Sequence, residues 1–234
     1  MRLLFILAMA LALVGCSRAL TPNEVALTRV LMGDTINVKR VRFVNGAPVA
    51  AVTFRRKARP RVTCRERILP PVKEEIVTAR PAAVTLFNTV FFARDWYIED
   101  YARDYPDVLN LSAAMLFAHE MLHVWQWQNR AITGYTPWRA AAEHGNSSDP
   151  YLFELDGAPD LLSFGFEQQG AIMEEYVCCR ALDPSADRTK RLHDMLSVYL
   201  PVANLPLGGK RESDVLLPWR GAQIKGICSQ PKPS

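Results

Sequence analysis

Histidine is scarce in this chain, with 4 residues in 234. Cysteine is nearly as rare, at 5, and no pair stands in a C-x-x-C spacing, so a structural zinc knuckle is not indicated. Strong charge of one sign is also missing. Against 28 Lys and Arg stand 24 Asp and Glu, a net charge of +4 that is too mild to argue for a nucleic-acid partner. The basic residues do gather at Arg55, Arg56, Lys57, Arg59, Arg61, Arg65 and Arg67. No aromatic platform is interleaved there, and the stretch reads as a solvated loop. There is no internal repeat and no composition break that would mark a second domain. With 49% hydrophobic and 22% charged residues, the composition is that of an ordinary globular protein and excludes wholesale disorder.

The most apolar stretch is the uncharged run Leu3 to Val14, preceded by Arg2. It is too short to span a bilayer, which needs about 20 residues, but fits the apolar part of an export signal. The run ends in Leu13-Val14-Gly15-Cys16, which resembles a bacterial lipobox. That resemblance implies removal of residues 1–15, lipidation of Cys16 and a place in the cell envelope, facing the periplasm. Ser17, rather than Asp, follows the cysteine; by resemblance to enterobacterial sorting signals this favours the outer membrane. Cys64, Cys178, Cys179 and Cys228 remain for pairing in an oxidising compartment. The adjacent Cys178 and Cys179 do not suit each other geometrically, so one of them pairs with Cys64 or Cys228, and the connectivity stays open.

The residue pattern is that of an α+β protein. Thr21 to Leu31 predicts a helix, with Thr21 as cap, Pro22 at its first position and Glu24 in its first turn. Val38 to Val44 predicts a strand, Asn45-Gly46 a hairpin turn, and Val49 to Phe54 the returning strand. Arg55 to Arg80 reads as loop-rich. Pro81 to Phe92 is a β-prone run and the candidate strand beside a cleft, where a peptide would add as an extra strand. Leu109 to Arg130 predicts one long helix, capped by Asn110 or Ser112 and apolar on both sides, hence buried. Residues 131–163 read as a long ordered loop with a hairpin at Tyr151 to Asp160. Helices follow over Phe166 to Leu182 and Leu192 to Leu200. The domain is read as 16–206, and 207–234 as an irregular tail.

The long helix carries His119-Glu120-Met121-Leu122-His123. Residues four apart lie one turn apart on one helix face, so both imidazoles can reach a single metal ion. Glu120 sits about 100° round, where it can act as general base toward a zinc-activated water. With so few histidines, the spacing is expected by chance only about 0.003 times. The metzincin pattern asks for Gly at 126 and His at 129, where this chain has Gln126 and Asn129. A carboxylate from the second helix is the alternative, as in gluzincins. Glu167, Glu174 and Glu175 lie on that helix. Glu167 shares a face with Gly170 and Ala171, small residues that let two helices approach, and is the candidate third ligand. Glu174 and Glu175 are candidates for orienting a ligand imidazole from behind. Tyr151, Tyr176 and His193 are candidate oxyanion donors.

The stretch Phe117-Ala-His-Glu-Met-Leu-His-Val-Trp-Gln126, with Phe166-Glu-Gln-Gln169 and Ile172 to Tyr176, resembles the Vgr-related His-Glu-x-x-His proteins of proteobacteria. These are similar to the peptidase domain associated with extracellular contractile injection systems. Leu20-Thr-Pro-Asn-Glu24 through Gly33-Asp34 to Val41-Arg42 and the β-prone run join the resemblance, which covers most of residues 20–180. The family usually has Ala at Gly170, a difference expected to be harmless, and often Asp at Glu175. The resemblance implies peptidase chemistry and supports Glu167 at the Glu-Gln-Gln position. The expectation is a zincin-like, gluzincin-type domain. Its central His-Glu-x-x-His helix packs on a small twisted sheet and binds zinc to hydrolyse peptides or proteins. The alternatives are a non-catalytic binding or assembly lipoprotein linked to a secretion system, and a cell-wall metallo-amidase, whose usual ligand patterns suit this helix less well.

Overall fold

A computed structural model describes residues 17–47, 52–55, 61–71, 76–146, 149–155, 160–202 and 214–229. Strand β1 (Ser17–Arg18) leads into helix α1 (Pro22–Met32). Thr21 caps α1 reciprocally: its hydroxyl accepts from the Glu24 N–H at 3.1 Å, and its own N–H donates to Glu24 Oε2 at 2.8 Å. The Glu24 carboxylate is fully buried, ion-paired with Arg18 at 2.7 Å, and accepts the Tyr101 N–H at 3.0 Å. One carboxylate therefore ties the first strand, the first helix and a distant loop together.

The expected Asn45-Gly46 hairpin does not form. Val38–Arg40 is a single 3₁₀ turn, and β2 is shortened to Arg42–Asn45. β2 lies between β1 and β6 (Thr89–Phe92), antiparallel to the first and parallel to the second. Beyond it, Gly46 takes φ +112° and donates, like Ala47, to the Phe92 carbonyl at 2.8 Å. Burial overrides the local turn signal. Phe43 on β2 packs edge-on against Phe92 at 5.0 Å and Phe117 at 5.9 Å, contacts a returning hairpin partner would not supply. The Val49 to Phe54 expectation lies partly outside the described residues; β3 (Val52–Arg55) pairs with β4 (Ile76–Ala79) as a separate antiparallel ribbon.

Pro81 to Phe92 is two strands rather than one. β5 (Ala83–Leu86) turns back into β6, giving a four-stranded sheet of order β1-β2-β6-β5 with β5 at its edge. Nor is the basic stretch simply loop: it contains helix α2 (Cys64–Ile68). A short β7 (Leu109–Asn110) opens helix α3 (Leu111–Gln128), whose cap is Asn110. α3 is buried on both sides, as its sequence predicts. The expected loop after it holds α4 (Arg130–Thr133) and α5 (Pro137–Asn146); around Tyr151 to Asp160 the described residues form no strand, and 156–159 lie outside them. Helix α6 (Phe166–Leu182) is buried almost throughout and packs along α3. Helix α7 is Asp187–Leu196, so the third predicted helix begins earlier than expected.

Within 207–234, β8 (Val215–Leu216) pairs in parallel with β7. Disulfides Cys64–Cys178 and Cys179–Cys228 settle the open connectivity, and both adjacent cysteines are used. Among the described residues, no helix is long and apolar enough to cross a membrane. The expected signal segment over 1–15 and Cys16 lie outside the described residues.

Candidate metal centre

α3 presents His119 and His123 one turn apart, and their Nε2 atoms face each other at 3.1 Å. From α6, Glu167 brings Oε2 to 3.3 Å from His119 Nε2 and Oε1 to 3.5 Å from His123 Nε2. All three side chains are buried, and their donor atoms lie within 4.8 Å of one another. Gly170 makes this approach possible. A Cβ built there would stand 2.5 Å from His119 Cε1, so the helices meet with the bare glycine against the imidazole. The absence of a side chain at Gly170 is therefore not neutral in this chain, contrary to the expectation above.

The far side of each imidazole is also held. His123 Nδ1 lies 2.8 Å from Gln126 Oε1, and Gln126 Nε2 donates to Gln169 Oε1 at 2.9 Å. An amide oxygen accepts only, so Nδ1 of His123 carries a proton, and Nε2, which faces Glu167 and His119, is the atom left to bind a metal. His119 Nδ1 lies 3.1 Å from Glu174 Oε1, within ion-pair distance although not aligned as a hydrogen bond. Two imidazole nitrogens and a carboxylate thus converge on one buried point, a donor set suited to zinc. Electrostatics agree. Burial opposes charge on His119, but Glu167 and Glu174 outweigh it and lift its pKa to about 10. Burial likewise opposes charge on His123, and Glu167 raises its pKa. Against its own burial, Glu167 is held well below the ordinary carboxylate range by His123 and His119. A pocket that draws a proton this strongly is built for positive charge, and a cation would displace that proton.

Glu120 is buried beside the pair, and its Oε2 accepts the Thr85 hydroxyl of β5 at 2.7 Å. The edge strand and the candidate base are therefore linked directly. Tyr151 lies with its ring 6.0 Å from that of His119, and Tyr135 stacks on His123 at 5.9 Å. Burial raises the pKa of both phenols, so both keep their protons near neutrality. Tyr176 and His193, also named as donors from sequence, instead face each other in a separate cavity lined by Arg180, Pro184, Thr189 and Lys190. Glu175 points away from the histidines: its Oε1 takes Arg188 Nε at 2.6 Å and its Oε2 the Cys64 N–H at 2.7 Å.

Three contributors escaped the sequence reading. Arg65, assigned to the solvated basic stretch, donates to Glu174 at 3.0 Å and so stands behind the carboxylate that faces His119. Gln126 holds His123, and the His-Glu-x-x-His-x-x-Gln spacing was its only trace in the sequence. Glu143 on α5 accepts the Phe166 and Glu167 N–H groups at 2.8 and 3.0 Å, fixing the start of α6. Such a cap from a remote helix leaves no local pattern. The triad of thiol positions Cys64, Cys179 and Cys228 is spent on disulfides and holds no metal.

No protein-family model matches the chain. Over 159 residues it is 24% identical to the Type VI secretion system spike protein VgrG2b of Pseudomonas aeruginosa. That match takes in 68% of this chain but spans only 13% of the length of that protein. The solved effector domain of Pseudomonas aeruginosa VgrG2b aligns over 78% of this chain and 83% of that domain, at 22% identity and a TM-score of 0.47. The similarity is thus to a Vgr-related protein.

Proposed function

We propose that this chain is a zinc-dependent peptidase of zincin-like, gluzincin type, anchored in the cell envelope through lipidated Cys16 and acting on peptide or protein substrates at the periplasmic face. The proposed domain starts at residue 16 after a signal segment over 1–15 and runs to 206, with 207–234 as a tail of which Val215–Leu216 pairs with β7. The observation that carries the reading is the convergence of His119, His123 and Glu167 beside a buried Glu120 at a sheet edge. Zinc bound there would supply Lewis acidity and a water acidic enough to ionise near neutral pH. The chain does the rest. With Oε2 engaged by Thr85, Glu120 uses Oε1 to take the water's proton and return it to the departing amine. Tyr151, protonated at neutral pH, is the donor toward the developing oxyanion. Edge strand β5 offers backbone groups along which an extended peptide can lie.

The test is metal analysis together with digestion of a peptide library by wild type and Glu120→Gln. Wild type should hold one zinc and cleave. Glu120→Gln should keep zinc and lose cleavage by at least about a hundredfold, as loss of a general base does. A zinc-loaded wild type that cleaves nothing would favour a non-catalytic binding or assembly lipoprotein linked to a secretion system, a reading that the similarity to a Type VI spike protein supports.

A further inference from the structure

Phe87 stands where a hairpin turn asks for glycine. Leu86 pairs with Thr89, so Phe87 and Asn88 form a two-residue loop, and Phe87 takes φ +59°. Positive φ at the first loop position is the type II′ pattern, which glycine fills at no steric cost. For a bulky aromatic residue that backbone is an outlier. Burial does not account for it, because Phe87 is 44% exposed. Residues that break a local rule without gaining burial mark functional surfaces.

Its surroundings say which function. The Phe87 ring meets Trp127 edge-on at 4.7 Å. Trp127 follows His123 by one helical turn, on the face that carries both histidines. The turn is pinned to the end of α3, where Gln128 Nε2 donates to Asn88 Oδ1 at 2.9 Å. Trp127 also packs on the Tyr135–Phe166 cluster, whose Tyr135 stacks on His123. Two residues before Phe87, on β5, Thr85 holds Glu120. Exposed Phe87 and partly buried Trp127, over whose ring Arg130 lies at 4.4 Å, therefore form an aromatic shelf that adjoins the candidate metal centre at the end of the edge strand.

We propose that Phe87 and Trp127 form a subsite that selects a large apolar or aromatic side chain of the substrate, one or two residues from the scissile bond. The inference rests on the peptidase reading above. A peptide laid along β5 advances about 3.3 Å per residue, so a side chain two positions from the one beside Thr85 reaches the level of Phe87.

The test uses the full chain in detergent, loaded with zinc. A positional peptide library is read for cleavage by wild type, Phe87→Gly and Phe87→Tyr, and peptide binding to Glu120→Gln is followed by tryptophan fluorescence. Phe87→Gly relaxes the turn, so its melting temperature should hold or rise. Its preference for Leu, Phe or Tyr over Ala at one position should fall by about tenfold, the scale on which apolar pockets discriminate, whereas Phe87→Tyr should retain it. Cleavage by wild type with no large-apolar preference, or a preference that survives in Phe87→Gly, overturns the subsite alone. No cleavage by wild type and no peptide binding to Glu120→Gln overturns the peptidase reading, and the subsite with it.

Discussion

Replacing Gly170 by alanine sets helix propensity against helix packing. In the interior of α6 the substitution favours the folded state by about 1 kcal/mol, since glycine is the poorer helix former. The new Cβ, however, would lie 2.5, 2.7 and 2.8 Å from Cε1, Nε2 and Nδ1 of His119. Ordinary contact begins at 3.4 Å, so the gap at Cε1 is short by about 0.9 Å. His119 cannot simply swing aside, because Glu167, Glu174 and His123 hold its ring. Overpacking of this kind costs about 1–3 kcal/mol. Set against the propensity gain, the metal-free protein should lose between nothing and about 2 kcal/mol. Zinc should suffer more, because ligand distances are set to within about 0.2 Å. Affinity should drop at least about tenfold, measured by competition with a chromophoric chelator and by melting with and without zinc. Ala171→Gly is the control: it should lower the melting temperature and leave zinc affinity intact. If Gly170→Ala melts and binds zinc like wild type, the close helix contact does not exist in solution.

Glu167→Ala should abolish tight zinc binding, whereas Glu174→Ala should weaken it by about ten- to a hundredfold, as loss of an orienting partner does; chelator competition ranks the two, and the reverse order would reassign the ligand. Metal-free protein should show a stability window set by the buried pocket. His119 has its pKa raised from 6.5 to about 10, so its contribution is complete below pH 6.5 and is lost as pH rises through about 10. Glu167 is depressed below 4.5, so its contribution is present above pH 4.5 and is lost as pH falls below it. Melting temperatures from about pH 3 to about pH 11, which bracket both values, should fall at both ends, and zinc should remove the alkaline loss; a flat alkaline limb would contradict the His119 environment. Cys16→Ser should release the protein from the membrane fraction or leave it unprocessed, read by fractionation and acyl labelling; unchanged behaviour in both would exclude the anchor.

The long helices α1, α3 and α6 were legible because each carries its own signals, whereas the short α2, α4 and α5 were read as loop. Thr21 and Glu24 announce a capping box, and the unbroken, doubly apolar run around His119 announces a buried helix. The convergence of His119, His123 and Glu167 was legible for a related reason. A spacing of four fixes two positions on one helix, and Gly170 and Ala171 mark where a second helix can approach. Sheet topology was not legible. Asn45-Gly46 is a local signal, and the pairing of β2 with β6 is decided by Phe43, Phe92 and Phe117, which meet only in the folded protein. The supports of the site were hidden likewise. Arg65 sits among basic residues that look alike in sequence, and only the disulfide from Cys64 to α6 singles it out.

The neighbouring cysteines of α6 impose an order on biogenesis. As the chain emerges from its N-terminus, Cys64 comes first, then Cys178 and Cys179 together, and Cys228 last. Until Cys228 arrives, two adjacent thiols compete for Cys64. The wrong choice would rotate α6 by about 100°, the angle between consecutive helix residues. Glu167 would then face away from the histidines, in a chain still covalently closed and still helical. Each crosslink restricts the unfolded chain by roughly 4–5 kcal/mol on the loop-entropy account, so a misjoined isomer would be long-lived without thiol exchange. Correct pairing of two adjacent thiols is therefore a condition for the convergence of His119, His123 and Glu167, so the candidate metal centre depends on covalent bonds far from it in sequence.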